Sequence, residues 1–286
     1  MDLSKSARAD LALIFVTLIW GASFTIVKTS LAQVSPILFL AMRFWIATAV
    51  MLLIVPTAVR GLSLQTIRRS ALLTVFLVGG FVFQTIGLRG TSASKSAFLT
   101  SLCVLLVPVL GYFIFGRKPA WRTLAGVLLA TLGIALLTLT NWDFRFRYGE
   151  TLTLICALVF ALHILYLGRY APVSDFRQLA LLQLGFSAVL CTLLLPMLET
   201  TFLVWDAQFS ASLAFTSVFA TALAFYVQNR AQQLTTANRA ALIFSLEPFF
   251  AALFSYLLAG QVLSGKEWIG GTLVVVGILV SELRRG

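Results

Sequence analysis

Three ionisable side chains stand inside runs that are otherwise apolar: Arg43, His163 and Glu247. A charge in a hydrocarbon interior costs at least ~2.5–3.5 kcal/mol on insertion scales, so such residues normally face the protein and carry a partner or a task. Each offers a distinct chemistry. Glu247 could couple a proton or hold a substrate amine, or it could serve as a buried anchor beside Pro248. Its counterpart at an offset of 140 is Val107, which cannot ionise, and that favours the anchor. The Arg43 guanidinium could bind a carboxylate bidentately. It could equally pair with Glu247 or cap carbonyls at a helix break. His163, with an unperturbed pKa of ~6.5, could relay a proton, or be satisfied by a neighbouring helix. It shares a face with Phe160 and Tyr166.

Amides and aromatics extend this set. Gln84 and Gln228 could hydrogen-bond a zwitterion or bond across helices, and Gln183 falls opposite Arg43 at an offset of 140. Trp20, Phe24, Tyr166, Phe225 and Tyr226 could line an aromatic cavity suited to apolar side chains, although aromatics also gather at membrane interfaces. Lys28 lies nearer an edge, where it could snorkel. Cys103, Cys156 and Cys191 read as small buried hydrophobes, without disulfide or metal-ligand spacing. No metal site and no cofactor is expected. Gly260-x4-Gly265-Lys266 resembles a phosphate loop, but Glu267 stands where Ser or Thr would hold magnesium and no strand precedes it. HExxH and GxSxG motifs do not occur, so no enzyme activity is expected.

The elements that must position these groups follow from composition. Of the 286 residues, 60% are apolar and only 11% charged, where a soluble domain carries about 25% charged residues. Apolar runs occupy roughly 11–31, 36–57, 70–88, 96–115, 121–140, 149–168, 178–198, 209–228, 240–259 and 267–283. A span needs about 20 such residues, and the runs lack the alternation of barrel strands. The expected fold class is therefore an all-α integral membrane protein with ten transmembrane helices. Ser30-Leu31-Ala32 loosely resembles a signal-peptide cleavage site, but the first run is long and contains Trp20 and Lys28, so it reads as a retained helix.

The chain is also one unit written twice. Residues 81–101 match 225–245 at an offset of 144, aligning Phe81 with Phe225, Gln84 with Gln228, Thr91 with Thr235, Lys95 with Arg239 and Ser101 with Ser245. Gly126-x6-Gly133 matches Gly270-x6-Gly277 at the same offset, as expected of close-packing positions. Trp20 falls opposite Phe160 at 140. Two repeats result, 1–140 and 149–286, joined near Asn141–Gly149. Five spans are an odd number, so the second repeat enters the membrane upside-down, which is the architecture of a secondary transporter with its site between the halves. Pro108 and Pro248 are offset by 140 instead of 144. They could kink gating helices, or packing could absorb them.

The net charge of +11 is an orientation signal. With the N-terminus inside, the cytoplasmic connections take most cations, Arg60, Arg68, Arg69, Arg117, Lys118, Arg122, Arg284 and Arg285 among them. The outer ones hold Lys28, Arg89, Lys95, Arg145, Arg147 and Lys266. This bias puts both termini in the cytoplasm. No basic tail or aromatic-interleaved groove suggests a nucleic acid.

Trp20-Gly21-Ala22-Ser23-Phe24 followed by Lys28, Arg43 in the second run, and Ser245-Leu246-Glu247-Pro248 before a Gly-rich last run resemble the EamA family of the drug/metabolite transporter superfamily. That resemblance implies an exporter of amino acids or related metabolites with a central cavity, embedded in the inner or plasma membrane, with the proton as a candidate coupling ion. Where such proteins usually carry Glu after the ninth helix, this chain has Gln261, and the first-half equivalent reads Gly116-Arg117-Lys118. The alternative is an exporter of lipophilic or quaternary cations. The first run has no acidic residue between Leu11 and Leu31, which counts against it; Glu247 speaks for it.

Overall fold

A computed structural model describes residues 5–116, 118–138, 147–259 and 264–282. The helices are α1 (Lys5–Ser30), α2 (Pro36–Ile54), α3 (Leu64–Arg89), α4 (Ala93–Ser101), α5 (Cys103–Phe115), α6 (Trp121–Thr138) and α7 (Tyr148–Tyr170). They continue with α8 (Phe176–Leu198), α9 (Ala207–Ser217), α10 (Ala224–Ala231), α11 (Ala237–Phe244), α12 (Glu247–Ala259) and α13 (Gly265–Glu282). Among the described residues the one β-contact is an isolated antiparallel bridge between Val34 and Leu203. Eight helical stretches are long and apolar enough to cross a membrane, and two shorter apolar helices, Trp121–Leu136 and Trp268–Ser281, accompany them. The expected junction at 141–146, with Asp143 and Arg145, lies outside the described residues, as do Arg117, Gln261 and Arg284.

Apolar bulk faces outward and polarity faces inward. Leu53, Phe113, Leu193 and Met197 are exposed, while Arg43, His163, Gln183 and Asn229 are buried. Water as solvent would reverse this pattern; lipid explains it. Backbone groups inside hydrocarbon need internal partners, which the helices supply.

The packing is paired. α2 lies along α8, and α6 along α13; α1 packs on α10, α11 and α12, while α7 packs on α3, α4 and α5. The α6–α13 contact is closest because glycines meet there. A methyl group at Gly277 would sit 2.6 Å from the Gly126 carbonyl oxygen, and one at Gly133 2.5 Å from that of Gly270. The glycines thus act as the close-packing positions expected of them.

The prolines do less than expected. Both long segments that contain them break at matched points instead: α4 ends at Ser101 and α5 starts at Cys103, α11 ends at Phe244 and α12 starts at Glu247. The Ser101 hydroxyl donates to the Ala97 carbonyl at 2.8 Å and the Ser245 hydroxyl to Leu242 at 2.6 Å, each competing with the helical ladder. Pro248 is the second residue of α12, where a missing N–H costs nothing. It starts a helix and does not kink one. Of these two prolines, Pro108 is the one inside a helix, α5.

Candidate functional site

The matched breaks decide which residues are equivalent. Since Cys103 heads α5 and Glu247 heads α12, the counterpart of Glu247 is Cys103, at the offset of 144; Val107 lies one turn further on. Both line a central cavity of about 80 Å3. One water needs about 10–15 Å3 by the same kind of measure, so this void admits a small molecule.

Its walls come from α1, α2, α3, α7, α10 and the two breaks. Trp20, Ser23 and Phe24 face it from α1, Arg43 from α2, Phe81 and Gln84 from α3. Phe160 and His163 face it from α7, Phe225 and Gln228 from α10. Most of these are equivalent pairs: Trp20 with Phe160, Ser23 with His163, Phe24 with Ile164, Phe81 with Phe225 and Gln84 with Gln228. The rings interlock, with Phe81 edge-on to Phe160 at 5.5 Å and Trp20 tilted against Phe225 at 5.9 Å and Phe244 at 5.1 Å.

Arg43 is 3% exposed and fixed by a local irregularity. Residues Val218–Leu223 form a π turn between α9 and α10. There the Ala224 N–H reaches the Phe219 carbonyl, five residues back, which leaves the Ala220 carbonyl without its α-helical donor. Arg43 Nη2 donates to that oxygen at 3.3 Å and Trp20 Nε1 at 3.0 Å. Arg43 Nε donates to Thr221 Oγ1 at 2.5 Å, and the guanidinium lies 4.7 Å from the Phe81 ring centroid. Capping carbonyls at a helix break, one of the expected roles, is what Arg43 does. The π turn itself was missed. Only the spacing of five between Thr216 and Thr221, whose hydroxyl donates to the Thr216 carbonyl at 2.8 Å, could have signalled it.

His163 lines the cavity with its back secured. Its Nε2 lies 2.8 Å from Gln183 Oε1, while Gln183 Nε2 donates to Leu179 O and Asn229 Oδ1. With the Gln183 amide nitrogen so committed, its oxygen accepts and His163 Nε2 donates. Gln183 therefore stands behind the wall, not in it. Tyr166 also lies outside the cavity, stacked on Phe76 at 5.3 Å and meeting Phe115 and Tyr170. Tyr226 turns away to Phe176 at 5.3 Å.

Glu247 differs from Arg43 and His163 on the same cavity wall. Its carboxylate has no hydrogen-bond or ion-pair partner among the described residues, and the anticipated pairing with Arg43 is not made, although both line the same void. The Gln228 side-chain oxygen is likewise unmatched. Gly21 lets α1 approach the start of α12 so closely that a methyl there would meet the Glu247 backbone oxygen at 2.9 Å. Gln84, by contrast, donates to Thr100 Oγ1 at 3.3 Å.

The sequence matches the model of the EamA-like transporter family twice, over residues 7–139 and 147–283. The chain belongs to that family. An uncharacterized transporter of Archaeoglobus fulgidus is 32% identical over 280 residues, covering 98% of this chain and 87% of its own. The uncharacterized transporter YoaV of Bacillus subtilis is 23% identical, covering 96% of each. A solved crystal structure superposes with a TM-score of 0.78 at 21% identity over 96% of both chains, a likeness of fold. The EamA-like chain is accordingly a multi-pass membrane protein of a transporter family.

Proposed function

We propose that this protein exports small amphoteric amines, amino acids foremost, through the cell membrane by alternating access. In this reading ten transmembrane helices form two inverted five-helix repeats, 1–140 and 149–286, with both termini in the cytoplasm. The double match of the family model and the reciprocal packing of α1 and α7 support it. The observation that carries the substrate class is the separation of charge in one cavity: Arg43 on one wall, Glu247 on another, unpaired with each other. A zwitterion presents the complementary pair. Its ammonium meets the Glu247 carboxylate and the unmatched Gln228 oxygen, and its carboxylate meets the guanidinium edge that Thr221 and Ala220 leave open. Apolar side chains find Trp20, Phe81, Phe160 and Phe225. A proton is the candidate coupling ion, carried by Glu247.

Purified protein in proteoliposomes should then show saturable counterflow of amino acids. Absence of any saturable flux across neutral, basic and aromatic amino acids would overturn the substrate class.

A second reading is favoured by a specific observation: the unmatched groups of the cavity are both acceptors, Glu247 and Gln228, whereas Arg43 is already engaged. Such a site suits lipophilic or quaternary cations stacked on aromatic faces. Flux of a quaternary amine that Glu247→Gln abolishes, with no amino-acid flux in the parent protein, would establish it instead.

A further inference from the structure

Two ionic clusters outside the cavity correspond to each other through the internal repeat. In one, Arg239 pairs with Asp10, and Thr235 Oγ1 lies 3.5 Å from Asp10 Oδ1. In the other, Lys95 Nζ lies 3.2 Å from Glu150 Oε1, to which Thr91 Oγ1 donates at 3.1 Å. Lys95 and Arg239, like Thr91 and Thr235, are equivalent at 144; Asp10 and Glu150 are equivalent at 140, the offset that relates Trp20 to Phe160. Even the local frames agree. Ser92 caps α4 by accepting from the Lys95 N–H, and Thr236 caps α11 by accepting from the Arg239 N–H. Beside each carboxylate the chains cross on small residues, Gly149 against Gly87 in one case, with buried Ala9 and Ala231 at the matching positions in the other.

The two clusters sit at opposite ends of the cavity. Asp10 is on the second turn of α1, whereas the Lys95–Glu150 cluster adjoins the far end of α1, where Lys28 Nζ donates to Thr91 O at 2.9 Å. Eighteen residues of helix separate Asp10 from Lys28, about 27 Å at 1.5 Å per residue. The cavity-lining Trp20, Ser23, Phe24 and Val27 lie between. Each cluster also ties one half of the chain to the other: α1 to the first turn of α11 and the residues before it, and α7 to the first turn of α4 and the residues before it. At the second cluster a further void of about 440 Å3 is lined by Lys28, Arg89, Thr91, Lys95, Arg147 and Glu150. The central cavity ends on Val27 and Leu88, the chain neighbours of Lys28 and Arg89, so releasing Lys95 from Glu150 would join the two voids.

We propose that Asp10–Arg239–Thr235 and Glu150–Lys95–Thr91 are the two latches of the transport cycle, one closing each end of the cavity, and that the cycle breaks them alternately. This rests on the transporter reading above and deepens it. Both latches are closed in this structure. A rocking of the halves that opens one end separates one carboxylate–cation pair and compresses the other, so each latch sets the population of one open state.

Cys103 in the cavity wall supplies the reporter, with Cys156 and Cys191 replaced by Ala. Its labelling by a membrane-impermeant methanethiosulfonate is measured in right-side-out and inside-out vesicles, without substrate. Glu150→Gln is expected to raise labelling about tenfold from one face only, and Asp10→Asn about tenfold from the opposite face only. Thr91→Val and Thr235→Val give smaller increases on the same respective faces and serve if a charge variant fails to insert. The exchange Asp10→Arg with Arg239→Asp restores the low parental rate. Labelling unchanged in all variants, or raised from one common face by both sets, overturns the latches. Because the assay needs no substrate, shifts on opposite faces without amino-acid flux would sink the export reading and leave the latches standing; flux with unshifted labelling would do the reverse.

Discussion

At the head of α5 stands Cys103, and at the head of α12, in the equivalent place, stands Glu247. The same contrast recurs at other equivalent positions: Ser23 corresponds to His163 in the cavity wall, and Arg43 in the wall corresponds to Gln183 behind it. Each pair is equivalent in the repeat, but only one member of each pair is an acidic, basic or imidazole side chain. The latches behave oppositely, since there both members keep charge and sign. Duplication thus preserves the ion pairs at both ends of the cavity and diverges in its wall, as the proposed binding of a single asymmetric ligand requires. A two-fold symmetric pocket would present two carboxylates or two guanidinia to one substrate. The observed one presents one of each.

Breaking the Cys103–Glu247 contrast should have the largest effect. A hydrogen bond to a charged group is worth about 1.5–3 kcal/mol, which corresponds to roughly 10–150-fold in affinity. Glu247→Gln is therefore expected to raise the KM for amine-bearing substrates by about that factor in proteoliposome flux, while Cys103→Ala stays within about threefold. Equal losses from the two variants would mean that the halves contribute alike and that the charge on α12 is a structural anchor.

Next comes Arg43 against Gln183. Arg43→Gln gives up the donors to Thr221 and Ala220, so the thermal midpoint in detergent should fall by an amount equivalent to about 1–3 kcal/mol. Substrates lacking a carboxylate should keep their relative affinity in that variant, and substrates bearing one should lose about tenfold. Gln183→Leu acts differently. It strips the acceptor from His163 Nε2 and a donor from Asn229, costing about 1–3 kcal/mol of stability with little change in substrate preference. A change of preference in Gln183→Leu as large as that in Arg43→Gln would put both side chains in the same role.

How far this division could be read from residues alone depends on which physical signal each feature leaves. The apolar runs, the offset of 144 and the glycine spacing report directly on lipid, duplication and close packing, and the matched pairs Phe81–Phe225 and Gln84–Gln228 stand in the structure on one cavity. The π turn leaves almost no trace, because Val218–Leu223 is apolar and reads the same whether its ladder steps back four residues or five. The helix breaks at Ser101 and Ser245 were hidden behind the more conspicuous prolines. Asp10 escaped notice because it lies at the edge of the first run, and its partner Arg239 is 229 residues away. Helical phase explains the misplaced aromatics: at about 100° per residue, Phe225 and Tyr226 cannot both point inward.

That last point yields the smallest expected effect. Tyr166 follows His163 by three residues, a rotation of about 300°, which leaves it some 60° off the cavity direction. That is enough to move its ring from the substrate wall to the α3 face, where Phe76 receives it. Tyr226, one residue from the inward-facing Phe225, also points away and meets Phe176 edge-on. Tyr166→Phe and Tyr226→Phe keep these ring contacts and remove only hydroxyls, so flux should remain within about twofold of the parent and stability within ~0.5 kcal/mol. Phe225→Ala, one residue from Tyr226, removes a ring that touches Trp20, Phe81 and His163 at once, and should cost far more. If the tyrosine variants lost flux as Phe225→Ala does, the cavity would have to extend to α8 and the far side of α3, and the boundary drawn here between wall and support would be wrong.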